Sequence, residues 1–419
     1  MTDFPPALDA LQSDISRRGL LRGVGMAAAG VAVGSVLSSA TRESTSGVNL
    51  KTVVPFFDTY QAGVATPSPD HFILVSFDST TSDRHALRAM LNKWTDAAEK
   101  MSRGQSIGYT ENPYIAPVDS GEAEGLSPAS LTFTIGYGSS LFDERFGLSH
   151  HRPSGLQPIP AFVGDNLNPL ESDGDIVVQI CSEDPQVNFH AAHTLARLGE
   201  GVVGVRYMHI GFGRTSAVTH DQPTTRNLIG FKDGTNNLQE NRVPNFDRHV
   251  WVKGATPAWM RNGTYLVSRK IRVRLEDWSS NSLDTQEATI GRFKESGAPL
   301  TGDREHDVPN FEALNPHRNY VIPTSAHIRV AAPSQNGGRV ILRRGFGFVD
   351  GTDQKTGQII CGLHFVCFQS DPIDQFVSIQ QNLATNDSLA NYLSHEASVL
   401  VACPGGLKTG EKWGSQLFG

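Results

Sequence analysis

Cysteine is scarce in this sequence: its 419 residues include four, Cys181, Cys361, Cys367 and Cys403. None belongs to a CxxC or CxxCH pattern, so the sequence indicates neither a thiolate zinc site nor a covalently attached c-type haem. All but Cys403 lie in apolar runs that are typical of strands. We therefore predict buried free thiols rather than disulfides.

Positive charge is also in short supply. The chain has 36 Lys and Arg against 43 Asp and Glu, which gives a formal net charge of −7. A mildly acidic protein without a basic patch binds nucleic acid and anionic membranes poorly, so we set both classes of partner aside. The hydrophobic content of 38% is that of a globular protein, and the length allows two domains, each with its own core.

The sequence lacks a run that is long and apolar enough to cross a bilayer. A short run rich in Ala and Gly, over 23–37, follows Ser-Arg-Arg-Gly-Leu-Leu-Arg at 16–22 and precedes small residues at 38–40. Paired arginines before such a run are typical of twin-arginine export signals, whereas the alternative, a membrane anchor after a chance Arg-Arg pair, needs a longer run. We predict a cleaved signal over 1–40 and a periplasmic, envelope or extracellular location.

A polar linker is predicted over 41–65, and a first domain over 66–222. Alternating apolar patterns in that domain predict strands at 71–77, 131–136, 175–181 and 202–212. Helical spacing predicts one helix that starts at Ser82 or Asp83 and another that starts at Pro185. Strand, helix, strand, strand, helix, strand is the order of a ferredoxin-like unit with an antiparallel sheet.

The second domain, over 223–419, repeats this plan with one interruption. Strands are predicted at 265–273, 327–330, 339–343 and 362–368, and helices at 284–290 and from Asp371. The stretch 292–325 has no periodicity, and a loop of that length inside a compact domain is usually functional. The predicted fold class is therefore α+β, with two ferredoxin-like domains.

Three segments of the second domain offer the groups that a haem peroxidase needs. Asp233 supplies a carboxylate in the Gly-Phe-Lys-Asp-Gly turn at 230–234, where the glycines would let the backbone approach a flat ligand. His327 supplies an imidazole, the usual axial ligand of haem iron in peroxidases, and Asp387 is a candidate acceptor for its other ring nitrogen. Arg343 supplies a guanidinium that can stabilise negative charge.

Each of these residues also has a purely structural interpretation. Asp-Gly is a common turn sequence, a lone histidine at a strand edge is more often structural than a ligand, and the proposed carboxylate acceptor could cap a helix instead. Arg343 and Arg344 are neighbours, so in a strand one of them faces the core and needs an anionic partner. His150 and His151 have no third metal ligand near them, and His364 fits a core strand.

In combination, these segments resemble the dye-decolourising peroxidase family, in the exported branch that includes the deferrochelatase/peroxidases of bacterial iron uptake. The GxxDG motif of the family matches 230–234, its proximal-histidine segment matches His327, and its distal-arginine segment matches Arg343. The likeness covers about residues 65–405 and includes similar stretches at 263–267, 290–292, 296–300 and 362–366.

The resemblance implies two ferredoxin-like domains of the dimeric α+β barrel type, one non-covalent haem b in the C-terminal domain, and homo-oligomers. The cofactor contacts that it implies are Asp233, Gly234, Thr235, Asn236, His327, Arg329, Ala332, Pro333, Ser334, Arg343 and Asp387. Related exported members often carry Asn-Pro-Arg where this chain has Ala332-Pro333-Ser334. A haem-propionate contact there must use the backbone or Ser334, and Arg329 is an alternative partner.

The resemblance also implies the reaction. His327 would hold the haem iron, Asp233 would move the proton of hydrogen peroxide, and Arg343 would stabilise the charge that develops as the O–O bond breaks. An unperturbed carboxyl titrates near pH 4, so we expect an acidic optimum. Small-molecule reductants would be oxidised, and bulky dyes would need surface residues to relay electrons, for which Trp251, Trp259 and Tyr392 are candidates.

Two other functions stay open at this point. One is deferrochelation, in which iron is released from haem with the porphyrin intact, as part of an iron-uptake system. The other is haem binding or carriage without catalysis. Asp233 and Arg343 on one haem face argue against mere carriage, because storage needs neither of them.

Overall fold

The structure, a computed structural model, describes residues 49–219, 222–239, 246–254 and 257–419. The predicted export signal and the first part of the predicted linker lie outside these ranges. None of the helices in these ranges is both long enough and apolar enough to span a membrane.

Nine strands of the described chain form one sheet that closes on itself. They are β1 (His71–Ser79), β2 (Thr132–Gly138), β3 (Ile176–Ser182), β4 (Val203–Arg214), β5 (Thr264–Val273), β6 (Leu342–Arg343), β7 (Phe346–Thr352), β8 (Ile359–Gln369) and β9 (Leu393–Cys403). The order is β5-β9-β2-β3-β1-β4-β7-β8, and β8 pairs back to β5. Eight strands therefore form a ring, and β6 is attached to β8 outside it.

Both halves of the chain contribute four strands to this ring in the same order. The first half supplies β2-β3-β1-β4 and the second supplies β7-β8-β5-β9, with every pair antiparallel. With β6 set aside, each half has the β-α-β-β-α-β succession of a ferredoxin-like unit, as predicted. The pairs β2–β9 and β4–β7 join the halves into one compact unit, and the predicted boundary at 222–223 stays a prediction.

Two helices, α1 (Arg84–Ser102) and α2 (Pro185–Leu198), cover the outside of the first half. The Asp83 carboxylate accepts hydrogen bonds from free backbone N–H groups at the start of α1, which explains why the helix begins there. The apolar face of α1 is buried, and Leu91 and Trp94 have 0% exposure. The predicted start of this helix is confirmed.

The two faces of the ring build separate cores. On β1, Phe72 and Leu74 pack with residues of β8 and β9 inside the ring, whereas Ile73 and Val75 pack with α1 and α2 outside it. This division follows from the alternation of side chains along a strand.

The helices of the second half are short. They are α3 (Phe246–Val250), α4 (Leu275–Ser279), α5 (Leu283–Ile290), α6 (His327–Val330), α7 (Ser378–Asn386) and α8 (Trp413–Phe418), with a π-helical turn, Ile373–Val377, before α7. No helix or strand lies between α5 and α6, as the aperiodic sequence predicted. This part of the chain is therefore a long ordered loop.

Two strand predictions in the second half were wrong or too long. Residues 327–330 form α6, in which the N–H of Ala331 bonds to the carbonyl of His327 at 2.9 Å. A four-residue apolar run cannot distinguish a strand from a helical turn. The strand predicted over 339–343 shrinks to β6, because the N–H of Arg339 bonds back to Asn336 in a turn. The strands β7 and β9 were not predicted.

All four cysteines are buried and free, as predicted. Burial raises the pKa of the Cys181 thiol to about 11, although the nearby Arg344 opposes the rise. This thiol is therefore protonated and unreactive at neutral pH.

Candidate functional site

A small apolar cluster holds together the segments that carry the predicted chemistry. It packs Phe231 of the glycine-bracketed turn, Ile328 of α6 and Leu389 of the segment after α7 around the buried ring of Trp278. The indole N–H of Trp278 also donates to the carbonyl of Ile229, at 3.2 Å. Apolar packing thus brings together three segments that are far apart in sequence.

His327 is oriented by a carboxylate. Its Nδ1 lies 2.6 Å from Oδ2 of Asp387, the residue that ends α7 and whose side chain is 4% exposed. Its Nε2 forms no hydrogen bond with the described residues, and the ring keeps 35% of its surface exposed. One ring nitrogen is therefore held and the other is available, which is the arrangement of a metal-ligating histidine.

The pKa of His327 depends on burial and on three nearby charges. Burial alone would lower this pKa, but the charge and the hydrogen bond of Asp387 raise it above its usual value. Asp233 adds to the rise, and Arg343 opposes it. The charges of Asp233 and Arg343 thus both act on the imidazole.

Asp233 and Arg343 form an ion pair. Arg343 Nη1 lies 2.7 Å from Asp233 Oδ1, with side-chain exposures of 25% and 18%. The other carboxylate oxygen, Oδ2, accepts a hydrogen bond of 3.3 Å from Nδ2 of Asn227. Both carboxylate oxygens thus accept a hydrogen bond, one of them from a charged guanidinium.

Arg343 is held from both edges of its short strand. One edge of β6 pairs with β8, in register Arg343 to Cys367. At the other edge, the Asn237 amide accepts from the N–H of Arg343 at 2.8 Å and donates to its carbonyl at 2.8 Å. Asn237, which is 8% exposed, acts in place of a neighbouring strand. The role of Asn237 was not predicted, since no local pattern distinguishes this residue from Asn236.

The glycines of the turn are required by the backbone. Gly230 and Gly234 have φ angles of +86° and +87°, which disfavour residues with a Cβ. A Cβ on Gly234 would also lie 2.6 Å from the Cα of Ser216. The sequence predicted that these glycines let the backbone approach a ligand. At Gly234, the structure shows a close approach to the backbone of Ser216 instead.

The long loop reaches this turn through Glu305. Its carboxylate bonds to Lys232 and to the hydroxyl of Thr235, the latter at 3.2 Å. The buried Arg292 donates to the backbone carbonyl of Glu305 at 2.9 Å. The stretch 292–325 was predicted to be a functional loop, but the contact of Glu305 with the turn was not predicted.

Two family models cover most of the chain: the N-terminal model of Dyp-type peroxidases matches residues 61–213, and the C-terminal model matches 224–408. A deferrochelatase of Escherichia coli O6:K15:H31 is 35% identical over 415 residues, which cover 96% of this chain and 97% of the relative. The deferrochelatase of E. coli K12 is 34% identical over 371 residues, 87% of each chain.

Solved structures agree with these matches. DtpA from Streptomyces lividans has a TM-score of 0.82 at 38% identity, over 88% of this chain and 99% of that chain. A DyP-type peroxidase from Cellulomonas bogoriensis has a TM-score of 0.78 at 36% identity, over 88% and 98%. The chain belongs to the Dyp-type peroxidase family. The predicted fold class and the predicted enzyme class, a haem peroxidase, are confirmed.

Other predicted contact residues of this Dyp-type peroxidase lie at varied depths. Thr235 is half-buried and Asn236 is exposed. Beyond α6, Ala332 is buried, Pro333 is half-buried, and Ser334 is exposed in a helical turn. Their cofactor contacts stay predictions.

Arg329 is occupied by the long loop. Its guanidinium donates to the carbonyl of Ile322 at 3.0 Å, lies 4.4 Å from the ring centre of Tyr320 and pairs with Glu312 at 3.6 Å. These contacts give Arg329 a structural function that the sequence analysis did not foresee. Its role as a propionate partner stays a prediction.

Arg344 is the member of the arginine pair that faces the core, and it has 0% exposure. The expected anionic partner is not found among the described residues. Instead, the guanidinium donates to the carbonyls of Thr66 and Pro67, at 2.6 and 3.1 Å. Burial lowers the pKa of Arg344, since desolvation disfavours the charged form.

Two of the three candidate electron relays are not at the surface. Trp251 is 3% exposed and stacks on Tyr60, and Trp259 is 8% exposed and donates to the carbonyl of His151. The expectation of surface tryptophans was therefore wrong for both, because apolar packing covers their rings. Tyr392 is half-buried against Trp278, at 5.2 Å between ring centres.

A hollow of about 510 Å³ lies beside Gly230, outside the cluster of Asp233, His327 and Arg343. It is lined by Arg226, Gly230, Leu283, Glu287, Phe293, Lys294, Glu295 and Ser296. It holds none of the three chemical groups, so we do not assign the peroxide reaction to it. No group of three or more His, Cys, Asp or Glu residues in the described ranges could hold a metal ion.

Proposed function

We propose that this peroxidase binds one non-covalent haem b per chain, with His327 as the protein ligand of the iron. The observation that carries the proposal is the state of the imidazole: Nδ1 is held by Asp387, and Nε2 is bonded to no described group. Asp387 also raises the basicity of the ring, which strengthens it as a ligand. Haem fits this donor set, and solved DtpA structures include ferric and oxyferrous forms.

Asp233 and Arg343 would act on hydrogen peroxide. Bound haem supplies the redox chemistry that breaks the O–O bond and draws electrons from reducing substrates. Asp233, oriented by its two donors, accepts a proton from one peroxide oxygen and returns it to the other. Arg343 stabilises the negative charge on the departing oxygen.

The absorbance spectrum of the purified protein tests this proposal, with Asp233→Asn as the variant. The wild type should show a Soret band that changes on addition of peroxide. Asp233→Asn should keep the resting band and react with peroxide on the order of 10²-fold more slowly, the loss typical of a missing acid–base group. Full activity in the variant would show that Asp233 has no part in the reaction. Wild-type protein without a Soret band after haem reconstitution would reject the whole proposal.

Deferrochelation is a second candidate, because two relatives that are 34–35% identical over 87–96% of this chain are named deferrochelatases. Anaerobic incubation with haem separates the two activities. Release of free protoporphyrin, seen as fluorescence, would support iron removal, and intact haem after prolonged incubation would reject it.

We further propose that the chain is exported through the twin-arginine route. The support is Arg17-Arg18 before the short apolar run over 23–37. Substitution of both arginines by lysine should retain the protein in the cytoplasm, as measured by cell fractionation. Export of that variant at the wild-type level would contradict the proposal.

The partners we propose are hydrogen peroxide with small reductants, further copies of the chain in a homo-oligomer, and an iron-uptake system in the cell. The family resemblance supports all of them. Light scattering of the purified protein tests the oligomer, and a monomer at micromolar concentration would contradict it.

A further inference from the structure

Asp233 is bracketed by two residues that bind one carboxylate. The ammonium of Lys232 pairs with Oε2 of Glu305, and the hydroxyl of Thr235 lies 3.2 Å from Oε1. The Glu305 side chain is 15% exposed, so solvent competes weakly for these bonds. The chain on either side of Asp233 is therefore bonded to one residue of the long loop, Glu305.

Glu305 is itself held in place by the buried Arg292. Nη1 of Arg292, which is 6% exposed, donates to the carbonyls of Glu305 and Gly297 at 2.9 and 2.7 Å. Gly297 in turn lies against Lys232, since a Cβ on this glycine would come within 2.7 Å of the lysine side chain. The long loop thus forms a rigid support for the turn.

Glu305 also balances charge beside the reacting group. Lys232 is the chain neighbour of Asp233, and its ammonium would act on that carboxylate without compensation if Glu305 were absent. Burial tends to raise the pKa of Glu305, but bonds from Lys232 and Thr224 and the charges of Lys232 and His306 lower it overall. Glu305 is thus ionised at neutral and mildly acidic pH.

We propose that Glu305 is a positioning residue for the peroxide reaction, which fixes the carboxylate of Asp233 in its place beside Arg343. This inference rests on the proposed function of Asp233. Glu305 acts on the reaction through Lys232 and Thr235, and it touches neither Asp233 nor Arg343 in the hydrogen bonds of the described residues. It makes the loop 292–325 a part of the active site although no loop residue takes part in the chemistry.

A double-mutant cycle tests this proposal, with the second-order rate constant for the reaction of the haem-loaded protein with peroxide as the readout. Glu305→Ala should lower that constant about tenfold, since a displacement of a catalytic group by about 1 Å can cost on the order of 10²-fold. In the Asp233→Asn background, Glu305→Ala should cause no further loss, because the group that it positions is gone. Glu305→Gln, which keeps the shape and one acceptor, should recover part of the rate.

Glu295→Ala is the matched control, because this glutamate lies in the same loop but is exposed. It should react with peroxide at the wild-type rate. The resting Soret band should be the same in all these variants, since His327 and Asp387 are untouched.

Equal losses from Glu305→Ala in the wild-type and Asp233→Asn backgrounds would overturn the proposal, because the residue would then act on general stability. An unchanged rate in Glu305→Ala would overturn it as well. If Glu305→Ala does not fold, Lys232→Met and Thr235→Val remove one contact each and are held to the same criterion. Failure of the proposed function is distinct: wild-type protein would then not react with peroxide, or Asp233→Asn would react at full rate.

Discussion

The two halves of the molecule share one strand order but differ in what covers the sheet. In the first half, the connection between β1 and β2 contains α1, a 19-residue helix whose apolar face is buried. In the second half, the connection between β5 and β7 contains three short helices, the longest of them eight residues, and a long loop. The same topology therefore supports a continuous apolar layer in one half and an interrupted layer in the other.

The difference shows where a site can be built on a duplicated topology. In the first half, α1 and α2 share one core cluster, with Leu91, Trp94 and Leu195 fully buried. In the second half, the corresponding connections meet through the small apolar cluster around Trp278 and through the hydrogen bond between His327 and Asp387. A buried polar pair costs stability unless it is well bonded, so it is tolerated where function requires it.

The largest effect, a loss of haem binding, is expected at the polar pair of His327 and Asp387. His327→Ala should abolish stable haem binding, since no other described group takes the place of its Nε2. Haem titration followed by absorbance measures this, with the exposed His150→Ala as the control that keeps binding. A normal Soret band in His327→Ala would reject the ligand assignment.

A substitution in the apolar layer of the first half should lower stability and leave the reaction with peroxide unchanged. Trp94 has 0% exposure, so Trp94→Ala should lower the free energy of unfolding by roughly 3–5 kcal/mol. The folded fraction should still react with peroxide at the normal rate. Denaturant unfolding measures the first effect, and Tyr114→Ala, at a residue 94% exposed, should change stability by less than about 0.5 kcal/mol. A small loss in Trp94→Ala would contradict the division of roles between the halves.

A smaller effect is expected from the amide that replaces a strand beside β6. Asn237→Leu removes both bonds to the Arg343 backbone and should slow the reaction with peroxide roughly tenfold, because a misplaced guanidinium stabilises charge less well. Stopped-flow absorbance measures the rate. A slower reaction with an unaltered resting spectrum is the expected outcome, and loss of haem in this variant would show that the residue supports the cofactor instead.

The smallest effect concerns a polar contact on the outside of the first half. Glu122 bonds to Nδ1 of His190 and of His193 on α2, at 2.8 and 2.6 Å. Burial tends to raise the pKa of Glu122, but bonds from Ser120, His190 and His193 lower it from 4.5 to about 2. A lowered pKa gives stability that is complete above the unfolded value of 4.5 and is lost as pH falls towards 2.

Glu122→Gln should therefore lower stability at pH 7 by no more than about 1 kcal/mol, since the site is partly exposed. The difference between variant and wild type should shrink between pH 4.5 and pH 2, as measured by denaturant unfolding. A difference that grows with acidification would show that the histidines, and not the glutamate, control this contact.

Much of the fold could be predicted from local patterns. The strands of the first half, the start of α1 at Asp83 and the absence of regular structure over 292–325 follow from periodicity and capping. The errors fall where the signal was short or absent. The four-residue segment that forms α6 has no period to read, and β7 and β9 were passed over.

The sequence predicted the three reacting groups and a candidate partner for His327, Asp387, but not the other supporting residues. Asn227, Asn237 and Glu305 are ordinary polar residues of turns and loops, and nothing in their neighbours in sequence marks them. Their partners lie far along the chain: Asn237 and Arg343 are 106 residues apart. A contact of that kind depends on how the ring of strands closes, which local pattern does not encode.

The sequence by itself determined the strands and the helical cover of the first half and the chemical types of the reacting groups, because periodicity and side-chain chemistry are local properties. The sequence offered Asp387 as a candidate partner of His327, but only the tertiary structure decided that these side chains meet and that Asp233 pairs with Arg343. The pairs His327–Asp387 and Asp233–Arg343 join residues 60 and 110 positions apart. Ring closure and the apolar cluster around Trp278 bring these segments together, since burial of their side chains outweighs the entropy of closing such long loops.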